Sequence, residues 1–166
     1  NFIDVSITTN GLLINKKIAK KLNELKLRTI TVSIDGLEKT HDYLRGVPGN
    51  FKKVLITYDL LSKLKEKNNL SIKADTTLSN LNIKEIPRLM KFIKKRMPLL
   101  DYHSFEIVRG DVRNKLVKPP LPFQLMKLKP KLFKDSINNN FFKGKNNPEY
   151  AYRINFGIFW SSDYNP

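Results

Sequence analysis

The chain has 166 residues, 40% of them hydrophobic and 28% charged, enough for one globular domain with a sizeable core. It has no cysteine, which excludes disulfides, thiolate zinc sites and any iron–sulfur cluster held by this chain alone. The formal net charge is +16, but the lysines are dispersed on helix faces and do not interleave with aromatics, so weak, sequence-independent contact with nucleic acid is the expectation.

The chain opens Asn1-Phe2-Ile3-Asp4-Val5, with no initiator Met and already inside a strand-like alternation, which suggests a piece of a longer protein. It contains no apolar run of about 18 residues and no secretory signal, so no membrane span and a cytoplasmic location are expected. Phe2 to Thr8 alternates apolar and polar residues and reads as a strand that ends at the turn Thr9-Asn10-Gly11. Ile14, Ile18, Leu22 and Leu25 follow at helical spacing, with Asn15 as the N-cap. Thr29 to Ile34 is a second strand, closed by the turn Asp35-Gly36.

Leu37 to Asn50 reads as a loop carrying His41, Asp42 and Arg45, followed by an amphipathic helix on Phe51, Val54, Tyr58 and Leu61 that Asn50 caps. Leu70 to Ala74 begins a third strand ending in Thr76-Thr77-Leu78-Ser79-Asn80. Asn82 and Glu85 have capping-box spacing before a third helix, with Pro87 in its first turn and Pro98 as its stop. His103 to Val108 is a fourth strand, ending in Arg109-Gly110-Asp111. From Asn114 the pattern fails: Lys118-Pro119-Pro120-Leu121-Pro122 reads as a linker. Phe123 to Phe133 reads as a short helix broken by Pro130, and Ala151 to Trp160 as a possible last strand. The division is therefore 1–113 for the βα part and 114–166 for linker and irregular extension.

Strands alternating with crossover-length helices predict parallel βαβ units, whose strand ends emerge on one edge. Thr8, Thr9, Asn10, Ser33, Asp35, Thr77, Ser79 and Arg109 gather at that edge. In folds built from parallel strands this edge binds ligands. Each residue also has a plainer reading: an Asx turn for Asp35, and for Arg45 a surface ion pair with Asp42 or Glu38.

Five short motifs in order resemble the later part of the radical S-adenosylmethionine (radical SAM) core, nearest its SPASM and molybdenum-cofactor-enzyme branches. They are Ile7-Thr8-Thr9-Asn10-Gly11, Val32-Ser33-Ile34-Asp35-Gly36, His41-Asp42-Tyr43-Leu44-Arg45-Gly46, Thr76-Thr77-Leu78-Ser79-Asn80 and Glu106-Ile107-Val108-Arg109-Gly110. The resemblance implies an α/β fold, a partial parallel βα barrel of TIM-like type comprising strands three to six of the family's barrel. It implies S-adenosylmethionine (AdoMet) as cofactor, with Asn10, Ser33, Asp35, Arg45, Thr77, Ser79 and Arg109 around it. It also implies a [4Fe-4S] cluster in the full-length parent, on cysteines this chain lacks. The partner on this reading is the missing N-terminal half of the barrel; without it the first strand's edge is bare and the isolated chain prone to associate. The substrate is not readable, because variable loops set it.

Two other classes stay open: a basic nucleic-acid-binding or interaction module, and a different α/β barrel enzyme. A phosphate-binding barrel would show a glycine-rich loop at a helix start, and a hydrolase a nucleophile–base pair; neither pattern stands out.

Overall fold

A computed structural model describes residues 5–25, 27–65, 70–110, 112–128 and 130. Within them the chain runs β1 (Ser6–Thr9), α1 (Lys16–Glu24), β2 (Thr29–Ser33), α2 (Glu38–Arg45), α3 (Asn50–Lys65), β3 (Ser71–Leu78), α4 (Ile86–Arg96) and β4 (Tyr102–Ile107). The four strands form one sheet in the order β1-β2-β3-β4, every neighbouring pair parallel. This is the expected open α/β sheet with a helix in each crossover. Among the described residues β1 pairs only with β2 and β4 only with β3.

The helices cover one face. Ile30, Val32 and Ile34 of the β2 stretch, Ile72, Ala74 and Leu78 of β3, and Phe105 of β4 pack there with Val54, Leu61, Leu89 and Ile93 of α3 and α4. Their burial removes apolar surface from water, the main drive for the fold. His103 shares this face: it is buried, its Nε2 meets the Thr76 hydroxyl at 2.8 Å, and burial pushes its pKa down to about 3.

The opposite face is polar. Successive strand residues point to opposite sides, so Thr29, Thr31 and Ser33 share it with their register neighbours Lys73, Asp75, Ser104 and Glu106. Parallel strands usually read apolar on both sides because helices cover both. Here one side is left for something polar.

Several local expectations are corrected. Residues 38–45 form α2 where a loop was expected; Gly46, in the left-handed region at φ 66°, ends it. Asn50 does not cap α3. Asp42 does that from nine residues away, its carboxylate accepting from Gly49 N at 2.6 Å and Phe51 N at 2.8 Å. The Asn82–Glu85 capping box is not formed: Glu85 Oε2 accepts from Leu37 N at 3.0 Å, and Asn82 bonds across strand ends instead. Asn15 does cap α1, accepting from Ile18 N at 3.0 Å, and Pro87 lies in the first turn of α4.

Beyond β4, Asn80 holds the returning chain through three bonds: its N–H to Lys118 O, its Nδ2 to Leu116 O, and Lys118 N to its Oδ1. A helical turn at 122–128 then places Leu128 in the core and Leu125 against it. The strand expected at Ala151–Trp160 lies outside the described residues. Among the described residues no helix is long and apolar enough to cross a membrane.

Candidate functional site at the strand ends

The carboxyl ends of β1, β2 and β3 are stitched together by buried side chains. Asp35, just past β2, accepts the Thr77 N–H of β3 through Oδ1 at 2.9 Å. Its Oδ2 lies 2.6 Å from Arg45 Nε, an ion pair at an angle too bent for a straight hydrogen bond. Arg45 therefore reaches back to the strand end and not to Asp42 or Glu38. Both Asp35 oxygens are engaged within the chain, and the residue is buried.

Asn82 makes the second stitch. Fully enclosed, it donates from Nδ2 to Asp35 O and Thr77 O, both at 2.7 Å, while its Oδ1 accepts from Ser79 N at 2.8 Å and from the Ser79 hydroxyl at 3.2 Å. The Ser79 hydroxyl also accepts from Leu81 N at 3.3 Å. Ser79 is thus a turn-forming residue. A buried amide with its donors and acceptor satisfied holds a unique geometry.

The third stitch runs through His41, whose side chain is fully buried. Its Nδ1 accepts from Asp35 N at 3.0 Å, so the ring proton sits on Nε2 and goes to Asn50 Oδ1, also at 3.0 Å. Asn50 Nδ2 in turn donates to Asn10 O at 2.8 Å. Burial, the largest effect, lowers the His41 pKa; Asp35 opposes it and Arg45 adds to it. Thr57 Oγ1 of α3 donates to Gly11 O at 2.9 Å and fixes the same turn.

Placed on this frame, the sequence-predicted residues differ. Ser33 is 8% exposed and faces the polar side, and its hydroxyl bonds no described residue. Thr77 is half-buried on the same side. Asn10 is exposed beside the β1 end, its Oδ1 accepting from Leu12 N at 3.2 Å. Arg109 is exposed past β4 and makes no ion pair among the described residues. Asp75 was missed by motif reading. It stands beside Ser33 in register, accepts from Ser104 Oγ at 2.8 Å, and has its pKa raised, mainly by burial and then by Glu106 and Asp35, against the Ser104 bond. The alternation Lys73, Asp75, Thr77 against Ile72, Ala74, Thr76 was the available signal. No described group of three His, Asp or Glu side chains is placed to hold a metal ion.

No protein-family profile matches the chain. It is similar to the AdoMet-dependent heme synthase of Methanosarcina barkeri, 34% identical over 111 residues, covering 64% of this chain and 30% of that protein. The sporulation killing factor maturation protein SkfB of Bacillus subtilis is 33% identical over 85 residues, 51% of this chain and 20% of that protein. Among solved structures, anSMEcpe with bound AdoMet superposes with a TM-score of 0.68 at 22% identity, covering 86% of this chain and 38% of that one; this likeness bears on the fold. The chain thus spans between about a fifth and two fifths of the length of these proteins. The sequence relatives are radical SAM enzymes, and the chain's parallel sheet has the architecture of the superposed one, its βα units fitting a C-terminal part of such a barrel.

Proposed function

We propose that this chain supplies the AdoMet-facing strand ends of a radical SAM enzyme. The observation that carries the reading is Ser33, a residue 8% exposed at the end of β2, whose hydroxyl has no partner among the described residues and is open to the polar face. A hydroxyl left open at the edge where parallel strands bind ligands can donate to and accept from a polar ligand. Ser33 and Thr77 offer hydroxyls to that ligand, and Asn10 an amide at the β1 end. Arg109 stands at the mouth, where a guanidinium can pair with a carboxylate. Asp35, Arg45 and Ser79 act differently: their polar atoms are engaged with one another and with Asn82, and they fix where the rim lies.

The residues present do not fit a [4Fe-4S] cluster, because the chain has no cysteine to ligate iron. Cluster ligands would come from residues outside it, and the chain alone would not cleave AdoMet. AdoMet supplies the family's radical chemistry when it is reductively cleaved; what this chain does is bind and orient it.

The test is titration of the isotope-labelled chain with AdoMet, followed by NMR. The expected result is shifts confined to Ser33, Thr77 and the Asn10 turn. Shifts elsewhere, or none, would contradict the reading. Iron uptake or 5′-deoxyadenosine formation by purified 1–166 would contradict the division of labour.

A further inference from the structure

Asp75 is a half-buried carboxylate that the strand-end contacts do not use. It stands on the polar face of β3, with Ser33 of β2 as register partner on one side and Ser104 of β4 on the other. Ser104 Oγ donates to Asp75 Oδ1 at 2.8 Å and fixes the carboxylate's orientation. No described residue bonds Oδ2 or forms an ion pair with Asp75; Lys73, two residues back on the same face, does not reach it. Beside it lies the Ser33 hydroxyl, 8% exposed as a residue and equally without a partner among the described residues. Two open polar groups in register on one face, a carboxylate oxygen and a hydroxyl, can be bonded together by one ligand.

The local field decides the sign of that ligand. Glu106 and Asp35 both act on Asp75 more strongly than Arg45, whose guanidinium is engaged with Asp35 at 2.6 Å. A carboxylate in negative surroundings repels an anion and is neutralised by a cation.

We propose that Asp75, with Ser33 beside it, forms a subsite for a primary ammonium group of a ligand on the polar face. This rests on reading that face as the one that meets cofactor and substrate. An ammonium has three donors and no acceptor. Asp75 Oδ2 takes one and Ser33 Oγ a second, leaving the third for Glu106 or water. The ammonium is the substrate's; that of AdoMet's methionine part is the competing source, which the test separates.

The experiment uses the labelled chain, wild type and Asp75→Asn, titrated with n-butylammonium chloride, sodium butyrate, methylthioadenosine and AdoMet. Asparagine keeps an acceptor for Ser104 and the side-chain shape while removing the charge. Butylammonium should shift the amides of Ser33, Asp75 and Ser104 in the wild type, butyrate should not, and Asp75→Asn should weaken butylammonium about tenfold or more. Unchanged AdoMet binding by Asp75→Asn supports a substrate ammonium; weaker AdoMet binding, with methylthioadenosine unchanged, would assign the site to the cofactor and overturn the proposal. Absent butylammonium binding, equal binding by both proteins, or butyrate at the same residues overturns the proposal. The butylammonium arm does not need AdoMet to bind, so a chain that passes it yet ignores AdoMet refutes the proposed function and not this subsite.

Discussion

His41 Nδ1 accepts the backbone N–H of Asp35 at 3.0 Å, and that bond exists only while the imidazole is neutral. The folded pKa of His41 is lowered from 6.5, first by burial, and that of buried His103 falls to about 3 for the same reason. In the unfolded chain both rings protonate near pH 6.5, so below that value the unfolded state binds more protons. The stabilisation from keeping them neutral is fully present above pH 6.5 and is lost as pH falls toward the folded pKa values. Urea midpoints should therefore decline from pH 7 to pH 5. A His41→Asn, His103→Asn double variant should show a flatter decline over the same range; an equal slope would remove these rings as its source.

Asn82→Ala should destabilise the fold by about 2–4 kcal/mol, because it leaves the Ser79 N–H and the carbonyls of Asp35 and Thr77 without their partner in a buried place. Asn82→Asp keeps the Oδ1 acceptor but loses both donors and sets a negative charge against two carbonyls, so it should be no better tolerated. Chemical denaturation of the two variants checks this.

The strand order, the parallel pairing and the polar strand ends were legible in the sequence because each is written locally. Period-2 alternation, turn residues after each strand and helix-length crossovers leave few topologies. What was not legible depends on distant contacts. Helix α2 has Leu37 at its N-cap with no side-chain bond, so no start signal marks it. The cap of α3 comes from Asp42 across a turn, and Asn82 spends its amide on strand ends 5 and 47 positions away. The polar face was present as alternation in β3, but only the register shows that Asp75 stands beside Ser33.

Gly36 is required by space. A Cβ there would lie 2.8 Å from Thr40 side-chain carbons and 2.9 Å from Glu85 Oε2, which also accepts the Leu37 N–H. Gly36→Ala should cost about 1–3 kcal/mol through overpacking at the β2–α2 junction. Thermal melts of Gly36→Ala and of Gly36→Ala with Thr40→Ser separate the effect, since the second change removes the Thr40 methyl and should recover part of the loss.

Asp42→Ala should loosen the start of α3, because the Gly49 and Phe51 N–H groups lose their acceptor. The expected cost is about 1–2 kcal/mol, the range for loss of an N-cap. Hydrogen exchange read by NMR should speed up at Gly49 and Phe51 while the amides of β3 change only by the global loss of stability.

The Ser33 hydroxyl, on the function proposed above, meets AdoMet. Calorimetric titration of AdoMet into a reconstituted enzyme containing this chain, wild type against Ser33→Ala, tests it most directly. Loss of one hydrogen bond, about 0.5–1.5 kcal/mol and more if the bond is to a charged group, predicts roughly three- to tenfold weaker binding with the fold unchanged. Equal affinities with an unchanged fold would contradict the account.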